Sequence, residues 1–343
     1  MPATWSLPVS IVVFVIGAVV IAAAGVRLVR LIDGLADRTG LGEAFFGMAL
    51  LGAITSLSGL VLSITATLDE LPELAVSNTV GGIAVQTTFL VFADLFYRRA
   101  NLEHAAASLP NLVSAATLVV LLGLALTASL GPDVTILDVH PVSVVLIAGY
   151  LVGLRTVHAV REHPWWQARQ SAATREDVPD EELAAETGSL ARAWTEVAVL
   201  SAITAVAGWA LARSGATIAS ETVLSATVVG ALFTATATSL PELVTTVAAV
   251  RRGALTLAVG GIVGGNSFDV LALSVTDVTY RPGSLYHAIG DQQLIVITVT
   301  IVMTGVLLLG LLARPRRAVL GVGVEGVVIA LLYAVMLALV AVD

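Results

Sequence analysis

The sequence predicts an all-α integral membrane protein of ten transmembrane helices, arranged as two inverted five-helix repeats. Three observations carry this: an apolar composition, ten apolar stretches of membrane-crossing length, and an internal repeat. Of 343 residues, 57% are hydrophobic and 12% are charged, and the mean hydropathy is +0.95. A soluble domain carries roughly 25% charged residues. The net charge of −8 offers no basic surface to a nucleic acid. The absence of cysteine removes disulfide frameworks and thiolate metal sites. Composition therefore points to the lipid bilayer as surround and to no nucleic-acid partner.

A helix needs about 20 apolar residues to cross a bilayer. Ten segments meet this, over 7–29, 42–66, 72–96, 110–130, 139–157, 192–213, 222–250, 254–279, 291–312 and 318–341. The first ten residues carry no basic cluster, so the first segment is expected to remain as a helix rather than be cleaved as a signal peptide. The longest polar interruption runs over 158–190 and divides the chain into a first half, 1–157, and a second half, 191–343. Arginines follow the odd-numbered segments: Arg27 and Arg30, Arg98 and Arg99, Arg155 and Arg161, Arg251 and Arg252, Arg316 and Arg317. The loops on the opposite side are poor in arginine, with Arg281 the exception, and basic residues concentrate on the cytoplasmic side. The expected placement is thus a multi-pass protein of the cell membrane with both termini outside and the 158–190 loop in the cytoplasm. Trp165 and Trp166 of that loop suit anchoring at the headgroups.

Five is an odd number, so a repeated half inverts across the membrane, a common transporter design. The register that lays Thr55-Ser56-Leu57 on Thr238-Ser239-Leu240 also lays Gly81-Gly82 on Gly264-Gly265, and Asp94, Tyr97 and Arg98 on Asp277, Tyr280 and Arg281. Over 55–98 against 238–281, 16 of 44 positions are identical without a gap. Shared apolar composition does not produce matched Thr-Ser-Leu, Gly-Gly and Asp-x-x-Tyr-Arg in one register. The two repeat units span about 42–98 and 222–281.

The chemistry concentrates in Thr238-Ser239-Leu240-Pro241-Glu242-Leu243. Ionisable groups inside a membrane are costly and mark functional sites by default. Pro241 cannot donate a backbone N–H and disfavours a continuous helix, which frees carbonyl oxygens beside Thr238, Ser239 and Glu242. Hard cations such as Ca2+ and Na+ take such oxygen sets. Asp269, in Gly264-Gly265-Asn266-Ser267-Phe268-Asp269, is a second acid at similar depth, reached after a short turn at 251–253. Private pairing of each acid with a structural partner is the bland alternative, weakened because no arginine falls at that depth. Asp94 and Asp277 read as helix-end anchors capped by the arginines that follow. The acids at 69, 70 and 73 read as a solvated outer turn, and the five histidines as loop or helix-end residues without zinc-type spacing.

These motifs, Thr-Ser-Leu-Pro-Glu-Leu followed by Gly-x-x-x-Gly-x-Asn-x-x-Asp, resemble the alpha-repeats of the calcium/cation antiporter superfamily, which includes Na+/Ca2+ and H+/Ca2+ exchangers. The resemblance covers nearly the whole chain. It implies ten helices in two inverted halves, no enzymatic activity, no organic cofactor, and alternating access of Ca2+, Na+ or H+ to one central site. It implies as cation ligands Thr238, Ser239, Glu242 and Asp269 in the second repeat, and Thr55, Ser56 and Gln86 in the first. The chain departs from the pattern in the first repeat. The expected Glu falls on Gly59, the Pro before it on Ser58, and the expected Asn or Asp of the third helix on Gln86. The serines beside the helix-3 and helix-8 asparagines fall on Gly82 and Gly265. Two carboxylates remain, enough to balance one Ca2+ or two monovalent ions, and Glu242 is also a candidate proton carrier. The alternatives are a monovalent cation/H+ antiporter that lost Ca2+ selectivity through Gly59, and a degenerate, non-transporting membrane protein kept for its 158–190 loop.

Overall fold

The computed structural model describes residues 5–39, 55–96, 102–163, 189–314, 318–319 and 322–342. Over these residues the chain is almost wholly helical. The helices are α1 (Leu7–Thr39), α2 (Leu57–Leu68), α3 (Pro72–Asp94), α4 (Leu109–Leu130), α5 (Pro141–Glu162), α6 (Leu190–Glu221), α7 (Ala226–Thr238), α8 (Leu240–Arg252), α9 (Leu255–Thr279), α10 (Asp291–Ala313) and α11 (Val324–Val342). Eight are long and apolar enough to cross a membrane. A ninth span is the pair α7 and α8, bent by 49° at Ser239. Helix α2 is a shorter apolar helix. The start of the predicted segment that contains it, 42–54, lies outside the described residues, as does most of the 158–190 loop with Trp165 and Trp166. The last predicted segment begins later than expected: Ala318–Val319 and Val322–Gly323 pair as a two-residue antiparallel ribbon before α11.

Burial sorts the helices. In the most apolar stretch of α3, 94% of residues are buried, and in α9 72%, against 28% in α1 and 22% in α11. The two central helices are also the polar ones. Ser77, Asn78, Thr79, Gln86, Thr87 and Thr88 of α3, with Asn266, Ser267, Asp269 and Ser274 of α9, are all buried. The outer helices instead expose Val12, Val15 and Ile16 of α1, Leu151 of α5, Leu309 of α10 and Leu331 of α11. Apolar side chains turned outward and polar ones inward suit a lipid surround, where backbone and side-chain polar groups must be satisfied within the protein.

The span formed by α7 and α8 is irregular for identifiable reasons. Residues Val229–Thr234 form a π-helical turn, of a kind that often sits at functional sites. There α7 presses on α3: a β-carbon on Gly230 would lie 2.6 Å from Ser77 Cβ, and one on Gly81 would lie 2.5 Å from Ala231 Cα. Close helix approach through small residues is how membrane helices gain packing contact. Pro241 then occupies the first turn of α8, where its missing N–H costs nothing. Gly253 ends α8 with φ 87°, a left-handed conformation that glycine takes without strain.

The repeat recurs in contacts. Asp94 accepts hydrogen bonds from Leu102 N (2.8 Å) and Gly323 N (2.9 Å). Asp277 accepts from Leu285 N (2.9 Å) and His140 N (2.8 Å), and from Ser143 Oγ (2.7 Å). His104 Nδ1 meets the Arg314 carbonyl at 2.8 Å, and His287 Nε2 meets the Gly131 carbonyl at 3.0 Å. In the register that lays Thr55 on Thr238, Asp94, Leu102 and His104 fall on Asp277, Leu285 and His287, while Gly131 and His140 fall on Arg314 and Gly323. The two aspartates thus anchor helix ends as expected, Asp94 through backbone N–H groups and Asp277 through backbone N–H groups and the Ser143 hydroxyl, while Arg98, expected to cap Asp94, lies outside the described residues. Burial also pushes the Tyr286 phenol above its ordinary range, so it remains a neutral partner of Ser143 in this cluster.

Asp69 also departs from expectation. It is not a solvated loop acid: its side chain is 7% exposed and pairs with Arg213 of α6 at 2.8 Å. The chain turns inward after α2, with Leu71 N bonded to the Ala66 carbonyl, and this carries Asp69 under the end of α6.

Candidate cation site

The break at Ser239 places Thr238 at the end of α7 and Glu242 in the first turn of α8. After the Gly253 turn, helix α9 packs against α8 and brings Asp269 to the same cavity as Glu242. Glu242 and Asp269 are each 9% exposed. They line one cavity of about 30 Å3 together with Ser56, Gly59, Asn78, Thr79, Gly82, Gln86, Thr238 and Ser239.

The first half supplies the hydroxyls and amides that hold the two acids. Thr55 lies beside the Glu242 carboxylate, and Ser56 lies beside the Asp269 carboxylate. Gln86 Nε2 donates to Asp269 Oδ2 at 2.9 Å and to Ser239 Oγ at 3.2 Å. Thr238 Oγ1 turns back to the Thr234 carbonyl at 2.9 Å. Of the seven residues predicted as ligands, all but Thr55 line the cavity, and Thr55 joins them through Glu242. Two oxygens in the group are buried without a partner: Glu242 Oε2 and Gln86 Oε1. An unpartnered buried acceptor costs about 1–3 kcal/mol. Both residues line the same cavity, and oxygens without a hydrogen-bond partner there suit a cation.

Gly59, where the first repeat lacks its acid, leaves real space. A β-carbon there would lie 3.6 Å from Thr238 Oγ1 and 3.7 Å from Asn78 Nδ2. Asn78 is a site residue that the sequence reading missed. Its amide donates to the Gly59 carbonyl (3.3 Å) and Ser63 Oγ (3.0 Å) and accepts from Thr234 Oγ1 (2.8 Å). An asparagine inside an apolar helix, opposite a missing acid, was the available signal. Asn266, although part of the sequence motif, faces α3 rather than the cavity and donates to Thr87 Oγ1 at 3.1 Å.

The sequence profile of the sodium/calcium exchanger protein family matches residues 9–168 and 193–342. The chain belongs to this family. It is a multi-span membrane transporter and not an enzyme. Among curated proteins it resembles the inner membrane protein YrbG of Escherichia coli (strain K12), at 26% identity over 285 residues, 79% of this chain and 80% of that protein. Among solved structures it is similar in fold to the sodium-calcium exchanger NCX_Mj, with TM-score 0.63 and 16% identity over 97% of this chain and 98% of that one. It is also similar to the H+/Ca2+ exchanger CAX, with TM-score 0.71 and 12% identity over 97% of this chain and 85% of that one. In this exchanger-family chain the two candidate acids both come from the second half, while the first half contributes Thr55, Ser56 and Gln86.

Proposed function

We propose that this exchanger-family protein is a secondary-active antiporter that exchanges Ca2+ for Na+ or H+ through one site built on Glu242 and Asp269. The observation that carries this reading is the pair of buried carboxylates on a single cavity, with Glu242 Oε2 unpartnered. Membrane-buried acids that face an internal cavity mark ion pathways. Two carboxylates balance one divalent ion or two monovalent ones, so competing cargoes take turns at the same site. The internal repeat supports two halves, 1–157 and 191–343, of opposite orientation, and such halves support alternating access around a fixed centre. The distribution of arginine supports a cell-membrane protein with both termini outside and a cytoplasmic 158–190 loop.

Gly59 favours a second reading. With an amide donor of Asn78 beside it in place of a carboxylate, the first-half side of the cavity offers Ca2+ fewer than the roughly 6–8 oxygens it prefers. A monovalent cation/H+ antiporter is the reading this supports. Both are tested by 45Ca2+ and 22Na+ uptake into proteoliposomes under imposed Na+ and H+ gradients. Ca2+ uptake that follows one gradient and vanishes in Glu242→Gln supports the first reading. Na+ uptake driven by H+, with no Ca2+ flux, supports the second.

A further inference from the structure

We propose that Gln86 sets the specificity of this site by acting as a resident stand-in for the cation: its NH2 group sits between Asp269 and Ser239, and cargo entry turns the amide so that Oε1 becomes a ligand. This inference rests on the antiport reading above.

The hydrogen bonds fix the starting orientation. The amide edge 2.9 Å from Asp269 Oδ2 is the nitrogen edge, donating to the carboxyl oxygen. Its second N–H is taken by Ser239 Oγ at 3.2 Å. Both donors of the amide are therefore used on atoms that a cation would otherwise contact, and Gln86 supplies partial positive charge where the cargo would place a full one. The consequence appears at the other end of the amide. Gln86 is 4% exposed, and its Oε1 is buried with no partner.

Two neighbouring positions carry no side chain that would clamp the amide. Gly82 and Gly265 flank it, and they are counterparts in the two repeats. A β-carbon on Gly82 would lie 4.0 Å from Gln86 Nε2, and one on Gly265 would lie 3.9 Å from Gln86 Oε1. A side chain extending beyond that β-carbon would press on the amide, whereas glycine leaves it unclamped. The terminal torsion of glutamine is broad and roughly two-fold, so exchange of the N and O edges meets little intrinsic resistance. After the turn, Gln86 Oε1 and the freed Asp269 Oδ2 join Glu242 Oε2, which has no hydrogen-bond partner before it. Hard cations take such oxygens. A cation held too weakly to displace the internal NH2 is excluded, and this makes the residue a filter as well as a ligand.

The test is infrared difference spectroscopy on the purified full-length chain with and without Ca2+, and separately with Na+, for wild type and the isosteric Gln86→Glu. Gln86→Met serves as a second variant. Wild type is expected to show a carboxamide C=O band that shifts when the cation is added, and both variants are expected to lack it. Gln86→Glu removes the donor and adds an acid, so its half-saturating Ca2+ concentration for transport should fall about tenfold, which is about 1.4 kcal/mol. A carboxamide shift that persists in both variants, or its absence in a transporting wild type, overturns the role of Gln86 while leaving the antiport reading standing. An unchanged half-saturating concentration in Gln86→Glu also overturns it. Wild-type chain that moves neither Ca2+ nor Na+ under any gradient overturns the antiport reading itself, and the Gln86 role with it.

Discussion

Gly208 of α6 lies against the carbonyl of Ser58 in the first turn of α2, so closely that a β-carbon on Gly208 would stand 2.2 Å from that oxygen. Its counterpart in the first repeat, Gly25 of α1, lies as closely against the ring of Pro241, the counterpart of Ser58. The two long helices α1 and α6 thus touch the two site-forming segments at the same point of each. At Gly208 the obstacle is backbone, which cannot step aside as a flexible side chain can. Gly208→Ala should therefore push α2 away from α6, at a cost of about 1–3 kcal/mol from overpacking, and displace Thr55 and Ser56 from the acids they hold. Thermal unfolding in detergent together with ion flux checks this. The expected outcome is a lower Tm and a flux reduced by at least tenfold, and a neutral Gly208→Ala would contradict it.

Thr55 and Ser56 each stand beside an acid of the other half, within reach of a hydrogen bond to it. A hydrogen bond to a charged group contributes roughly 1.5–3 kcal/mol. Thr55→Ala should weaken cation binding by about an order of magnitude, and Thr55→Ser, which keeps the hydroxyl, should restore most of it. Half-saturating concentrations from proteoliposome flux read both variants. Equal loss in Ala and Ser would point to packing instead.

Gly59 is the position where the missing acid can be put back. The nearest atoms would be in ordinary contact with a β-carbon there, so Gly59→Glu has room to fold and to reach the cavity. A third carboxylate should lower the half-saturating Ca2+ concentration by about tenfold or more, on the order of 1.4 kcal/mol. Direct comparison of Ca2+ and Na+ flux in this variant and wild type makes the measurement, and Ca2+ affinity that stays put would show that the first-half side of the cavity does not face the cargo.

Asp277 gathers Leu285 N, His140 N and Ser143 Oγ. Asp277→Ala leaves three donors without their acceptor and should cost about 3 kcal/mol or more. Differential unfolding in detergent should show a clear drop in Tm, while the chain that still folds keeps wild-type cation affinity, because none of these groups lines the cavity. A selective loss of affinity at unchanged Tm would contradict the anchoring role.

How much of this was legible in the sequence depends on which physical rule decides. Glu242 and Asp269 stood out because charge in an apolar run is costly, and the break at Ser239 followed from Pro241. The repeat was visible over 55–98 because identical side chains recur there. It was less visible beyond, where Leu102, His104 and Ala105, against Leu285, His287 and Ala288, hint that the loops repeat as well. The partners of Asp94 and Asp277 were not legible, since backbone N–H groups have no letter in a sequence. Nor was the crossing by which Thr55 and Ser56 reach the acids of the other half, because it depends on how α2 lies against α7 and α9. Asp69 read as a solvated acid for the same reason: its partner, Arg213, is distant in the chain.

The most direct test of the account is equilibrium binding of 45Ca2+ to the purified full-length chain, with Glu242→Gln and Asp269→Asn beside it. One saturable Ca2+ site in wild type, lost in each variant while both remain folded, is the predicted result. Undiminished Ca2+ binding in both variants would contradict the claim that these two carboxylates form the cation site.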